Sequence, residues 1–420
     1  MEKFIIKGPT PSVRGSLDCS GAKNSALPLM ASSILFNGTV ILRNIPFVND
    51  VKKMSDLLIS LGSRVELFEK KKIIKITNKK KHKLVVPFKL ISTIRAGVLA
   101  MGPLLGKYNR CSTAMPGGCS LGDRGIGFHL EGFKKLNCKY KVRGGYINIT
   151  AKNGIKGNTY KFPKVSVTGT SNLVMASVLG NGTFFIKNAS REPEVLDVIK
   201  FLKNGGARIY FIGKRTIKII GVKKLNGCSH EVIGDRIEAF SYLCAAVITK
   251  GKIKINKINP KNLYAELKIL KKMGCDLSIK GSSIEINAKK KLKPVKIKTL
   301  PFPGFATDNS PPLIAALTKV KGKSEIQENI FSQRFQCVPE LNKMGALISI
   351  KKNKAIIIGT DKLYGSECIS SDLRTTFSII LGALAASGTS IINRIYHGFR
   401  GYYQLEKKLK KIGVKIKRVR

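Results

Sequence analysis

Two short patterns recur six times along the 420 residues, and that periodicity confines the chain to a repeat architecture. The first is an amphipathic helix, a small-residue stop and then a strand; its stops are Gly62, Asn137, Gly206, Gly274, Gly345 and Gly413. A residue just past a helix end adopts the left-handed conformation most cheaply as glycine, and the alternating residues beyond each stop read as a strand. The second is an Ala/Leu-rich helix, a glycine turn and a strand, with its turns at Gly38, Gly106, Gly182, Gly251, Gly322 and Gly388. Each pattern returns at intervals of about seventy residues, long enough for a self-sufficient small fold and too long for a single solenoid coil.

Three such units closing around a shared core, twice over, predict an α/β protein of two pseudo-threefold domains. Helices such as those carrying Leu99-Ala100, Met175-Ala176 and Ala245-Ala246 are apolar on every side, so they belong inside with the sheets outside. The domains are placed at 23–230 and at 1–22 plus 231–420, with a hinge near Gly227-Cys228-Ser229-His230. The opening strand Phe4-Ile5-Ile6 is assigned to the second domain, and a ligand cleft is expected between the two.

Charge narrows the function classes. Lys and Arg number 76 against 25 Asp and Glu, a formal charge of +51. The excess is mostly lysine, spread over the whole length at strand ends and turns without interleaved aromatics, and tryptophan is absent. That distribution reads as drift toward A/T-rich codons, so no specific nucleic-acid partner is expected, although the field would draw anionic substrates inward. No apolar run approaches the ~18 residues of a membrane span, and the N-terminus lacks a signal-peptide core. A cytoplasmic chain without a membrane partner is expected. The nine cysteines are scattered, with no CxxC pair, which favours a reducing compartment and predicts no metal site.

The segment Pro116-Gly117-Gly118-Cys119-Ser120-Leu121-Gly122-Asp123-Arg124 sets one thiol in a glycine-rich loop, five residues before a guanidinium. Arg124 there would favour a thiolate and grip a phosphate or carboxylate; the alternative is a surface turn with an idle thiol. Elsewhere Lys23 sits at the start of the helix following Ser20-Gly21-Ala22, where a lysine opposes the macrodipole unless it holds an anion. Arg95 and Arg374 lie against apolar helices, each either salt-bridged or an anion ligand, and Asp372 offers Arg374 a partner. Asp308, in Phe305-Ala306-Thr307-Asp308, is a general base or a helix cap. Arg334 and Arg400 complete a set in which arginine, unlike lysine, can grip an anion with two parallel hydrogen bonds.

Taken together, the segments SGAKN, TIRAG, PGGCSLGDR, KVSVTGT, REPE, DRIEA, FATD, RF, VPEL, SDLR and RIYHGFRGY, in this order from end to end, closely resemble the UDP-N-acetylglucosamine 1-carboxyvinyltransferases, a family of enolpyruvyl transferases serving peptidoglycan synthesis. The resemblance implies the enolpyruvyl transferase fold of two inside-out α/β barrels with three repeats each. It implies transfer of the enolpyruvyl group of phosphoenolpyruvate to the 3′-hydroxyl of UDP-N-acetylglucosamine, with no cofactor, by a cytoplasmic monomer. Phosphoenolpyruvate would be gripped by Lys23, Arg124, Arg334, Arg374 and Arg400. Cys119 matches the family's general acid and Asp308 the residue that takes the sugar hydroxyl's proton. Sugar-nucleotide contacts would fall to Asn24, Arg95, Arg124, Gly125, Ile126, Gly127 and Phe128, together with Lys164, Val165, Ser166, Val167, Asp308 and Ile330. Closure of the domains, with the Cys119 loop as a lid, would exclude water.

The chain departs from the family pattern in places. Gly125 and Gly127 replace a usual proline and aspartate, and Asn309-Ser310 follows Asp308 where glutamine usually stands two residues on. Gly234 replaces a proline and Phe240 a glycine. These read as drift and predict a less stable enzyme. The shikimate-pathway enolpyruvyl transferase is the nearest alternative; the Cys119 loop and Arg191-Glu192-Pro193-Glu194 favour the sugar-nucleotide enzyme. A basic RNA-binding relative and a decayed paralogue that only binds ligand are the other readings.

Overall fold

The structure is a computed structural model that describes residues 2–78, 81–91, 95–115 and 126–420, with Arg95 described in its backbone only. The described residues divide into two compact units, 21–233 and 2–20 with 234–420.

Three buried helices form the centre of the first unit: α1 (Lys23–Ser32), α2 (Met101–Tyr108) and α3 (Val167–Ser177). Neighbouring α2 and α3 run parallel, backbone against backbone. A Cβ at Gly102 would lie 2.5 Å from the Asn172 carbonyl oxygen, and one at Gly106 would lie 2.7 Å from that of Met175. Gly106 is therefore a packing residue inside a helix and not the turn the repeat pattern assigned to it. The left-handed turn falls on Asn109, at φ 57°, because an asparagine tolerates that conformation and leaves the glycine free for the helix contact.

Around these helices lie separate four-stranded sheets, each with three antiparallel strands and a parallel fourth. In one, Thr39–Arg43 pairs antiparallel with Ile73–Asn78 and parallel with Ser229–Glu231. Val40 and Leu42 point inward and are fully buried, the period-two pattern of a sheet with one wet face. The segment 227–231 is thus woven into the first unit, and the division falls after Ile233.

The second unit repeats the plan around α4 (Arg236–Ile248), α5 (Ser310–Leu317) and α6 (Leu373–Ala385). Its opening strand, Lys3–Gly8, lies between Ala386–Asn393 and Ile416–Val419, with Phe4 opposite Ile392 and Ile6 opposite Ile416. Helices inside and sheets outside agree with the sequence reading, although among the described residues the sheets of each unit stay separate and form no closed barrel of strands. All six helix-stop positions have positive φ, from 70° at Asn137 to 108° at Gly62. No described helix is long and apolar enough to cross a membrane.

Two of the sequence departures are built into this packing. Phe240 on α4 is fully buried and meets Phe305 edge to face, with ring centroids 5.7 Å apart. At Gly234 a Cβ would lie 2.4 Å from the Lys257 carbonyl oxygen, so this backbone has no room for a larger residue. The expectation that these positions loosen the protein is not what the packing gives.

Candidate active site

In each unit several of the candidate residues stand where core helices begin. In the first unit Lys23 and Asn24 open α1, and Lys164, Val165 and Ser166 lead into α3 at Val167. Ser166 caps α3 by accepting the Gly169 amide at 3.2 Å. Lys23 donates to Asp50 at 3.1 Å, with side chains 12% and 3% exposed. That carboxylate, from the first turn of the helix Asn49–Leu61, offsets the cost of a cation at a helix N-terminus. The sequence reading missed Asp50, since only the fold brings positions 23 and 50 together. Ile126 is buried at the start of the helix Gly127–Lys135, with Gly127 and Phe128 in its first turn. Cys119, Arg124 and Gly125 lie outside the described residues, as does the Arg95 side chain.

In the second unit the residues make direct contact. Asp308 sits in the short helical turn Thr307–Asn309 before α5. Its Oδ1 accepts from Arg334 Nη2 at 2.8 Å, while its Oδ2 accepts from Arg374 at 3.0 Å (Nη2) and 3.3 Å (Nε). Arg334 is 1% exposed and Arg374 5%, against 26% for Asp308. Guanidinium groups so deeply buried need a compensating anion, and Asp308, itself still partly exposed, supplies a carboxylate to both.

Each guanidinium is held from behind. Asp372 caps α6 by accepting the backbone amides of Arg374 and Thr375 at 2.8 and 3.2 Å. The Arg374 guanidinium also lies 5.5 Å from the centre of the Tyr402 ring. Burial pushes the Tyr402 phenol up and the neighbouring Arg374 partly opposes this; its hydroxyl bonds Ser241 at 2.8 Å. Arg334 donates through Nε to Thr307 Oγ1 at 3.0 Å and lies over the Phe331 ring. Arg400 closes the turn Ile395–Arg400, which packs against α6 where Gly398 meets Thr376. In that turn His397 is held below its usual pKa by burial and by the Arg400 charge. Ile330 is 38% exposed on the loop preceding Arg334.

One cavity of about 290 Å³, bordered by Asn37, Lys107, Asn109, Asn181 and Lys223, opens at the opposite, C-terminal ends of the first unit's helices and contains none of these residues. Lys23, Asn24, Lys164–Val167 and Asp308 stand instead toward N-terminal ends of core helices, where the helix dipole favours anions.

Comparison with known proteins is decisive on lineage. Residues 7–409 match the sequence model of the family described as EPSP synthase (3-phosphoshikimate 1-carboxyvinyltransferase). A UDP-N-acetylglucosamine 1-carboxyvinyltransferase of Pelagibacter ubique is 45% identical over 419 residues, covering all of both chains, and one of Acinetobacter baylyi is 39% identical over 420, again covering all of both. The chain belongs to the UDP-N-acetylglucosamine 1-carboxyvinyltransferase family. Among solved structures, the enolpyruvyl transferase NikO from Streptomyces tendae superimposes with a TM-score of 0.90 at 19% identity, covering 100% of this chain and 99% of its own. An EPSP synthase from Acinetobacter baumannii gives 0.79, also at 19% identity and covering all of both chains. At those identities the two structures establish the enolpyruvyl transferase fold, while the family is fixed by the full-length relatives.

Proposed function

We propose that Lys23, Arg124, Arg334, Arg374 and Arg400 hold phosphoenolpyruvate in this chain, with Cys119 as general acid and Asp308 as general base. The reaction is that of the family: the enolpyruvyl group passes to the 3′-hydroxyl of UDP-N-acetylglucosamine and phosphate leaves, the first committed step of peptidoglycan synthesis. The observation that carries the assignment is the Asp308 carboxylate engaged by two buried arginines. Phosphoenolpyruvate bears a phosphate and a carboxylate on one small skeleton and needs several cations at fixed separations. A guanidinium pair that already grips one carboxylate is suited to exchange it for the substrate's anionic groups, and that exchange leaves the Asp308 oxygens available to the sugar hydroxyl.

Cys119 then protonates the methylene carbon C3 while the 3′-oxygen bonds to C2 and its proton passes to Asp308. In the resulting tetrahedral ketal, the bond from C2 to the phosphate oxygen breaks as a proton leaves C3, and the enol ether forms. Asn24, Arg95, Gly125–Phe128, Lys164–Val167 and Ile330 would hold the sugar nucleotide. The enzyme acts as a cytoplasmic monomer on small-molecule substrates and needs no cofactor.

Phosphate release from phosphoenolpyruvate, measured with and without UDP-N-acetylglucosamine, tests this. Release should depend on the sugar nucleotide and fall by about 10²-fold or more in Cys119→Ser, the scale of a lost general acid. Release that requires shikimate 3-phosphate instead would reject the acceptor. Full activity in Cys119→Ser would reject the acid.

A further inference from the structure

The turn that carries Asp308 is gripped by two buried glutamates, neither of which belongs to the residue set above. Glu266 is 1% exposed, and its Oε1 accepts the Ala306 amide and the Asn309 side-chain amide, both at 3.0 Å. Glu328 is 4% exposed, and its carboxylate collects donors from three segments. Its Oε1 takes Thr299 Oγ1 at 2.9 Å and the amides of Ile330 and Phe331 at 2.8 and 3.1 Å. Its Oε2 takes Thr307 Oγ1 at 3.0 Å and Ser310 Oγ at 3.4 Å. Asn309 and Ser310, where the chain departs from its family's usual pattern, are both among the donors.

We propose that Glu328 is a positioning residue for the reaction: it fixes the polarity of the Thr307 hydroxyl, and through it the guanidinium of Arg334 that faces Asp308. This rests on the roles assigned above to Asp308 and Arg334. An ionised carboxylate only accepts hydrogen bonds, and a threonine hydroxyl has a single proton to give. With that proton committed to Glu328, the oxygen of Thr307 can only accept from its other side, and there it meets Arg334 Nε at 3.0 Å. The second nitrogen of the same planar group then meets Asp308 at 2.8 Å. Arginine is thereby held at two points of a rigid fork, so Asp308 is aimed by a relay that begins at Glu328. The Ile330 amide, bonded to the same carboxylate, ties the relay to the loop proposed to meet the sugar nucleotide.

A glutamine in place of Glu328 has the right size and the wrong polarity. Its amide nitrogen must face either the Thr307 and Ser310 hydroxyls or the Thr299 hydroxyl and the two backbone amides. Facing Thr307, it would turn the hydroxyl proton toward Arg334 Nε–H. Because Glu328→Gln also weakens a buried network, Thr307→Val and Thr307→Ser isolate the relay: valine keeps the shape without the hydroxyl, and serine keeps the hydroxyl.

With folding checked by thermal melting, kcat should fall about 10- to 100-fold in Thr307→Val, the scale of a misplaced catalytic group, and at least as far in Glu328→Gln. The KM for UDP-N-acetylglucosamine in Thr307→Val should stay within about twofold of native, since the lost interaction is not one with bound sugar nucleotide. Thr307→Ser should recover most of the lost kcat. Native kcat in Thr307→Val, a larger rise in that KM, or a Thr307→Ser no better than the valine variant would overturn the relay. Asp308→Asn separates the two layers. If it is inactive while Thr307→Val is native, only the relay fails; if it keeps native kcat, the base assignment beneath it fails.

Discussion

Eight of the nine cysteines lie among the described residues, all as free thiols, and seven of them are buried. Burial pushes their pKa values up, to about 12 at Cys138, Cys275, Cys337 and Cys368 and to about 11 at the half-buried Cys228. The thiolate is the reactive form, so near neutral pH these groups are poor nucleophiles. Cys119, whose sequence segment holds three glycines and Arg124, is set apart by sequence context. With Ellman's reagent at a pH of about 7.5, below the ordinary thiol pKa, the folded protein should consume one equivalent fast and the remainder slowly. The fast phase should vanish in Cys119→Ser. A fast phase that survives the substitution would place the reactive thiol elsewhere. The sequence can put Cys119 forward for this test because the residues that single it out, three glycines and Arg124, are its neighbours in the chain. It could not nominate Asp50 or Glu328, whose partners Lys23 and Thr307 lie 27 and 21 residues away.

At the level of elements, the repeat was legible because each helix stop needs a left-handed residue, and that need marks the sequence six times. Gly106 misled because a glycine serves two ends: it permits a turn, and it lets two helices touch. Nothing local separates these, and the Met175 carbonyl that decides the matter is on another helix. Phe240 teaches the same lesson about the departures. Judged against a family pattern it reads as drift, yet its ring fills the space between α4 and Phe305. Phe240→Ala should therefore destabilise the protein by about 3–5 kcal/mol, the usual cost of emptying a buried phenylalanine site. Chemical denaturation would measure it. A loss under about 1 kcal/mol would mean that the surrounding helices collapse into the space and that the ring is dispensable.

For the whole molecule the open question is what a formal charge of +51 does. Many of the lysines stand on the outer faces of the sheets, as with exposed Lys252, Lys254, Lys296, Lys298 and Lys323. Some are paired across strands, as Lys252 is with Glu285 at 2.8 Å and Lys354 with Glu325 at 3.0 Å. Such exposed pairs add little stability, but the uncompensated remainder surrounds the protein with a positive field. Both substrates of the family are anions, so the field should raise their rate of arrival without altering the chemistry once they are bound. Salt shortens the reach of that field to about 10 Å at 0.1 M. Between about 20 and 300 mM KCl, kcat/KM for phosphoenolpyruvate should fall several-fold while kcat changes less than about twofold, the mark of steering. A parallel fall in both would mean that salt disturbs the arginine cluster at Asp308 itself. An RNA homopolymer supplies the contrast. If the charge served nucleic-acid binding, the polymer would bind tightly, with a steep logarithmic salt slope from released counterions. If the lysines are a diffuse field, it should compete only weakly at low salt and not at all at about 300 mM, while turnover continues.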